Sequence, residues 1–437
     1  MRRSHARAVS SEDEPARSPP PDDDDDAAAT LTSPSRVQLG KGFLHITLGL
    51  ATLCAPYVVP HTGAHRSLAR VRVAHAAEAP AAPADILPAP IAGNHPKTTA
   101  RELTPRLRDF LAWLEGVKKE CTKRGISADT IATVFKDLEP LPEVVVQKTS
   151  GDQPEVKFTV ERYLKNIVTR DRIEMGAERL IEHAALLREV ELEYGVPAEI
   201  LVSIWGIESS FGGFTGDMDS IQALATLGWE QQFDNYFRNE LIEAVRIIDQ
   251  GHVKVGQLRG SWAGALGQCQ FMPSNFHAYA VDKDGDGRAD IWKSLPDVFA
   301  SMGNFISTYC GWNPKVRAAG YRVEIDRTNG VVSLPKEVIG GYWGDRKKPR
   351  PARYFLWNGV KPVHKETRLP WSAETMLLMP DGEDGPAFLA MCNFQAIMRY
   401  NPSTSYAMAV STLAQEIVDE AAAMKEAKRG RQTYGLT

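Results

Sequence analysis

GVPAEILVSIWGIESSFGG (residues 195–213) is the stretch on which the fold turns. Gly195 is placed to close one helix, because a residue without a Cβ enters the left-handed region at no steric cost. Pro197 is placed to open the next at its first position, where a missing N–H leaves nothing unsatisfied. Ile200, Ile204, Ile207 and Phe211 then recur at steps of three and four, the spacing of one apolar helix face. Glu208 borders that face, with Trp205 and Phe211 close enough to shield it. A carboxylate among apolar neighbours, near the negative end of a helix, holds its proton more tightly than one in water. A general acid working near neutral pH needs that property. An ordinary half-buried glutamate paired with an arginine would fit the same segment.

The surrounding chain has 437 residues, 43% hydrophobic and 24% charged, which is ample for a large core. Its net charge of −4 offers no electrostatic footprint for nucleic acid, so none is expected as a partner. Residues 1–100 differ from the rest. They hold a mixed-charge stretch, a Pro run, five aspartates from Asp22 to Asp26, and APAAPADILPAP. Such sequence buries too little apolar surface to offset its ordering entropy and reads as a disordered extension.

Within that extension, GFLHITLGLATLCAPYVVP (42–60) is the one long apolar run. Lys41 and Arg36 precede it, and Ala74-His75-Ala76 resembles a cleavage site. Arg66, Arg70 and Arg72 lie in the long gap between, which suits a signal peptide poorly. An export signal with a mis-assigned start codon, an uncleaved anchor and a chance apolar run all fit. Export or anchoring is the expectation, giving a periplasmic protein that is free or membrane-tethered. Leu53 is a poor residue before a lipidated cysteine at Cys54. Cys121, Cys269, Cys310 and Cys392 form no CxxC pair, so no zinc ribbon or thioredoxin-like motif is indicated. One or two disulfides, or simply small buried residues, are both compatible with their scatter.

From about residue 100 the pattern is mainly α. Apolar residues at helical steps predict helices over 101–121, 127–138, 173–194, 218–228, 236–249, 296–310 and 406–427. Residues 320–380 break the habit: Tyr321, Val323 and Ile325 alternate with polar residues, Asn329-Gly330 marks a turn, and Val331-Val332 resumes. A small β-containing subdomain is therefore expected at about 313–385, inserted in a helical domain spanning 101–437.

VDKDGDGRADIW (281–292) has the form of a calcium loop. Asp282, Asp284 and Asp286 take its first, third and fifth positions, Gly287 the sharp turn, and Arg288 can offer its carbonyl. Three carboxylates in five residues repel one another unless a cation lies between them. Lys293 stands where an EF-hand has its closing glutamate, so that ligand must come from elsewhere, Asp297 being nearest. A structural Ca²⁺ is the expectation, with a solvated acidic turn as the alternative. GSWAGALGQCQFMPS (260–274) sets Ser261, Gln268 and Gln270 among glycines, beside Trp262 and Phe271. Amides and hydroxyls next to aromatic rings suit a sugar, whose faces stack and whose edges hydrogen-bond. A tight packing loop would look the same. YNPSTSYAMAV (400–410) brings Tyr400, Asn401 and Tyr406 to a helix start, where Asn401 or Ser405 would serve as an N-cap. There is no GxSxG elbow, HExxH helix, Walker loop or Rossmann fingerprint.

Taken in order, these segments resemble the lytic murein transglycosylase B family of bacterial cell-wall enzymes. The resemblance runs through FTVERYLKNIVTRDRIEMG (158–176), the Glu208 stretch, ALATLGW (223–229), the glycine-rich loop, DKDGDGRADIW and FLAMCNFQAIMRYNPSTSYAMAV (388–410). It covers about residues 105–425. It implies a lysozyme-like helical fold with a groove for peptidoglycan glycan strands, and no cofactor for catalysis. By the same resemblance Glu208 is the single catalytic acid/base, and Tyr163, Ser261, Gln270, Tyr400, Asn401 and Tyr406 position substrate. Asp282, Asp284, Asp286, the Arg288 carbonyl and Asp297 match the family's calcium site. Cys269 departs from the small residue that relatives carry there. Wall-synthesis or remodelling proteins are further candidate partners.

The activity implied is non-hydrolytic cleavage of the β-1,4 bond between N-acetylmuramic acid and N-acetylglucosamine, ending in a 1,6-anhydro ring. Asp217 and Asp219 are the residues that could supply a second carboxylate and turn the site into a lysozyme-type hydrolase. Asp219 is also well placed to cap the helix starting near Ile221. A non-catalytic wall-binding protein is the third reading.

Overall fold

The computed structural model describes residues 104–142, 158–232, 234–326, 334–341, 348–364 and 369–433. The amino-terminal extension with its apolar run 42–60, Cys54 and Ala74–Ala76, and the turn at Asn329-Gly330 with Val331-Val332, lie outside them. Among the described residues no helix is long and apolar enough to cross a membrane.

Helices α1 (Pro105–Lys123), α2 (Ala128–Val134), α3 (Val160–Ile167) and α4 (Arg170–Glu182) come first. Each begins on a hydroxyl that accepts a backbone N–H from its first turn: Thr104 from Leu107, Ser127 from Thr130, Thr159 from Arg162, Thr169 from Arg172. Next are α5 (Ala184–Tyr194) and α6 (Ala198–Ser209), then α7 (Ser220–Glu230) and α8 (Tyr236–Asp249). A short two-stranded pairing of β1 (Met218–Asp219) with β2 (Arg259–Gly260) is interleaved with them. The chain continues through α9 (Pro273–Tyr279) and α10 (Leu295–Asn304), which runs on as a π-helical turn over Phe305–Tyr309.

The helix expected over 173–194 is two helices, α4 and α5, broken at His183. Its imidazole lies 6.1 Å from the Trp205 ring and 6.3 Å from Phe299. Both helices turn an apolar side to one core, so periodicity runs through the break without registering it. Gly195 ends α5 in the left-handed region at φ 72°, as expected. Pro197 is one place earlier than expected, as the N-cap of α6 rather than its first residue.

Nine of the twelve residues of α6 are buried, on every side of the helix, as in a helix surrounded by others. Leu201, Val202 and Ile204 are fully buried, and each contributes about 1.5–3 kcal/mol of transfer free energy.

The sheet comprises β3 (Gly320–Ile325), β4 (Ile339–Gly340), β5 (Arg350–Pro351), β6 (Val360–Pro362), β7 (Glu374–Leu378) and β8 (Ala387–Ala390), with α11 (Ala352–Trp357) between β5 and β6. Its order is β4-β7-β8-β3-β6, with β5 on β7. Tyr321 faces Leu389 and Met376 faces Ala390 in the two central antiparallel ladders. Its last strand thus lies past residue 385, because AFLA carries no alternation to mark it as a strand. Val323, Phe355, Val360, Leu377 and Leu389 form this sheet's own apolar cluster, separate from the helical core.

Two helices close the chain, α12 (Phe394–Tyr400) and α13 (Thr404–Thr433). Helix α13 packs along α4 and α6, and Ser203 Oγ on α6 donates to the Val410 carbonyl at 2.8 Å. Asp381, between β7 and β8, reaches back to α3 and accepts from the Val160 and Glu161 amides at 3.0 and 2.8 Å. Cys121, Cys269 and Cys310 are buried and Cys392 is exposed, and none of them forms a disulfide among the described residues.

Candidate active site

Glu208 occupies the last turn of α6 and is only 5% exposed. Directly after it the chain reverses. Ser210 and Phe211 hold φ of 50° and 58°, a conformation costly for residues with a Cβ. The reversal folds the Phe211 ring back onto the helix, where a Cβ on Gly206 would sit 2.6 Å from it. The same ring packs edge to face on Trp205 at 5.4 Å. The two rings expected to shield Glu208 thus pack on each other within its own segment.

The opposite wall comes from the carboxy-terminal helices. Tyr406 Oη donates to Glu208 Oε1 at 2.5 Å. Tyr400 Oη donates to the Cys269 carbonyl. Both tyrosines and Tyr163 are 2% exposed, and Asn401 is equally buried. Burial pushes the pKa values of Tyr406, Tyr400 and Cys269 well above their ordinary range, and the negative charge of Glu208 adds to each. All three groups therefore feel this carboxylate and stay neutral hydrogen-bonding groups.

The glycine-rich loop forms the third wall. Ser261 Oγ accepts from the Ala263 and Ala265 amides at 3.3 and 3.0 Å, so the hydroxyl shapes the turn while its proton is left to donate elsewhere. Gln270 sits at φ 50°. Its Nε2 donates to the Thr215 and Gly267 carbonyls at 3.0 and 2.9 Å, and its Oε1 is buried with no hydrogen-bond donor among the described residues. A buried acceptor left so is costly unless something else fills it. Gln268 is a bracket: it accepts from Trp205 Nε1 at 2.7 Å and donates to the Trp292 carbonyl at 2.8 Å. The glycines allow backbone to touch backbone, since a Cβ on Gly216 would lie 2.1 Å from the Gly260 carbonyl oxygen.

The seven residues expected in the site are all buried, and they come from α3, α6, the glycine-rich loop and the α12–α13 junction. Asn401 ends α12 rather than capping α13, whose first turn is held by Ser403 Oγ accepting from the Tyr406 amide at 3.2 Å. Asp219 caps α7, accepting from the Gln222 amide at 3.1 Å, and Asp217 is exposed. Two cavities of about 430 and 420 Å³ lie elsewhere, one beside Asp137 and Gln222 and one beside Arg317 and Gln415.

Asp282, Asp284 and Asp286 bring carboxylate oxygens within 4.8 Å of one another on the surface. Asp282 accepts from the Gly285, Asp286 and Gly287 amides, which curls the loop around the cluster. Ser294 Oγ donates to Asp284 at 2.6 Å, a contact that sequence spacing did not flag. Lys283, the cation within the loop, pairs with Glu193 instead at 2.6 Å. Among the described residues no ion pair balances the three charges, and the oxygen-only donor set fits a hard cation such as Ca²⁺. Asp297 is fully buried and stands apart, accepting from the Lys283, Asp284 and Asp290 amides at 2.7, 3.3 and 2.8 Å. It braces the loop from inside, and its Oδ2, which accepts one amide, keeps a further acceptor position.

A family model described as a transglycosylase SLT domain matches residues 109–415. Membrane-bound lytic murein transglycosylase B of Escherichia coli (strain K12) is 31% identical over 258 residues, 59% of this chain. The chain spans 66% of that relative's length. The structure of SltB3 from Pseudomonas aeruginosa in complex with NAG-anhNAM-pentapeptide is 34% identical, with a TM-score of 0.61 over 70% of this chain and 79% of that one. Escherichia coli Slt35 in complex with calcium is 27% identical, with a TM-score of 0.57 over 73% of this chain and 94% of that one.

Proposed function

The chain belongs to the lytic murein transglycosylase B family, and from that membership we propose that it is a peptidoglycan lytic transglycosylase with Glu208 as its single acid/base. Protonated Glu208 donates to the glycosidic oxygen, which leaves as the O4 hydroxyl of N-acetylglucosamine while C1 of N-acetylmuramic acid gains oxocarbenium character. The substrate's acetamido group steadies that centre. Ionised Glu208 then takes the C6 hydroxyl proton as O6 bonds to C1 and closes the 1,6-anhydro ring. One proton leaves Glu208 and one returns, and no water is consumed.

The observation that carries this reading is the burial of Glu208 and its bond to the Tyr406 hydroxyl, where a hydrolase would pair the acid with a second carboxylate facing the sugar. The two acids that follow Glu208 in sequence, Asp217 and Asp219, are respectively exposed and spent on a helix cap. Tyr163, Tyr400 and Tyr406 exclude water from the reacting carbon. Ser261, Gln270 and Asn401 orient substrate, with Gln270 Oε1 accepting from a sugar hydroxyl or amide. Asp282, Asp284, Asp286, the Arg288 carbonyl and Asp297 would hold a calcium ion that braces the loop and takes no part in bond cleavage. The relative described as membrane-bound supports work at the periplasmic face of the wall.

Mass spectrometry of digested sacculi tests the proposal. The expected fragments are lighter by one water than hydrolysis products, and Glu208→Gln abolishes them while binding survives. Recovery of reducing-end products alone would overturn it.

A further inference from the structure

The sheet subdomain carries a feature that the Glu208 chemistry does not use. Trp357, at the end of α11, and Trp371, just before β7, are 71% and 59% exposed. Their rings meet edge to face, with centroids 6.1 Å apart and planes inclined at 76°. Backbone bonds lock the two supports together: the Ala352 amide donates to the Ala373 carbonyl at 2.9 Å and the Arg353 amide to the Trp371 carbonyl at 3.1 Å. Other exposed apolar side chains, such as Leu192 and Val255, stand singly on other elements and need no explanation. Two indoles held side by side in water do.

Cations surround them. Arg353 precedes Trp357 by four residues and so shares its helix face. Arg350 on the adjoining strand β5 and Lys348 just before it are exposed, the Arg350 guanidinium standing 5.8 Å over the Tyr354 ring. None of the three has a carboxylate partner among the described residues. Apolar ring faces beside unpaired cations complement a polymer with flat C–H faces and pendant carboxylates.

We infer that the Trp357–Trp371 corner, flanked by Lys348, Arg350 and Arg353, is a second polysaccharide-binding surface that holds an acidic amino-sugar strand away from the Glu208 cleft. The choice of peptidoglycan as that strand rests on the function proposed above. A bilayer fits less well, because the apolar area is confined to two rings and exposed Ser372 and Glu374 border it. Such a surface keeps the enzyme on an insoluble substrate between cleavage events.

The test is retention on purified sacculi of the Glu208→Gln protein, in which no cleavage competes. Adding Trp357→Ala and Trp371→Ala is expected to weaken retention about tenfold, while Phe at both positions, which keeps the ring faces, preserves most of it. In the Glu208 protein the same Ala changes are expected to leave cleavage of short soluble glycan fragments unchanged. Unchanged sacculus retention overturns the inference, and a loss confined to phosphatidylglycerol–phosphatidylethanolamine vesicles identifies a membrane face instead. Because retention is read without turnover, a protein that binds through this corner but cleaves nothing would sink the catalytic reading and leave this one standing.

Discussion

The Tyr406 hydroxyl donates to Glu208 Oε1 at 2.5 Å, joining two residues 198 positions apart in sequence. The bond ties the first turn of α13 to the last turn of α6, and both side chains are buried. It is the contact through which the carboxy-terminal helix sets the direction of the proposed acid.

Tyr406→Phe keeps the ring and deletes the donor. A buried hydrogen bond to a carboxylate is worth about 1.5–3 kcal/mol, so turnover on soluble glycan is expected to fall roughly ten- to a hundredfold. Steady-state kinetics beside a thermal melt separate the site effect from any loss of fold. Full turnover in the variant would mean that the bond is merely structural.

Glu240 on α8 predicts a pH dependence of stability. Burial first, and Glu243 beyond it, push its carboxyl up to about 7, against the pull of the Ser274 amide and hydroxyl bonded to it. The folded state therefore binds the proton more tightly than the unfolded chain. Stability from this group is full below the ordinary glutamate range and drains away as pH rises toward 7, by about 3 kcal/mol over that window. Glu240→Gln can still accept from the Ser274 amide, and its denaturation midpoint is expected to flatten between pH 4.5 and 7. A slope identical to the parent's would remove Glu240 as its source.

Calcium should be visible as stability. With free Ca²⁺ a hundredfold above its dissociation constant, binding adds about 2.7 kcal/mol, so a chelator is expected to lower the melting temperature by several degrees. Asp284→Asn should shrink that shift, because the cluster loses one of its three charges. Equal melting curves with and without chelator would show the loop to be a solvated turn.

Asp381 links the sheet to the site. It accepts two amides at the start of α3, the helix that carries Tyr163. Asp381→Ala is expected to cost about 0.5–2 kcal/mol, the usual value of a helix cap. If α3 shifts with it, KM for soluble glycan rises while kcat holds. Loss of stability with KM unaltered would confine Asp381 to a structural role.

Much of this was readable in order along the chain. Helix α8 lies where its periodicity put it, Gly195 ends α5, and Asp219 caps α7. Local steric and hydrogen-bonding rules decide such features within a few residues. His183 and β8 were hidden for opposite reasons. A break between two helices that share a core leaves the apolar period intact, and a strand buried on both faces shows no period at all.

Within the site, residue types and their order pointed to Glu208, the loop amides and the tyrosines, but not to who bonds whom. Gln268 and Gln270 stand two apart in one loop, yet one is a bracket for Trp205 and the other keeps a vacant acceptor. Asp297 belongs to the acidic loop by spacing and to its inner scaffold by contact.

By itself the sequence determined α8, the stop at Gly195, the cap at Asp219 and the acidic loop, because each follows from short-range sterics and charge, and it singled out Glu208 as the candidate acid. Only the tertiary structure decided that α13 would bring Tyr406 to Glu208, that Glu240 would lie in the interior, and that two tryptophans would meet on the sheet. Those contacts join distant segments, and burial and hydrogen bonding across such separations depend on how whole elements pack.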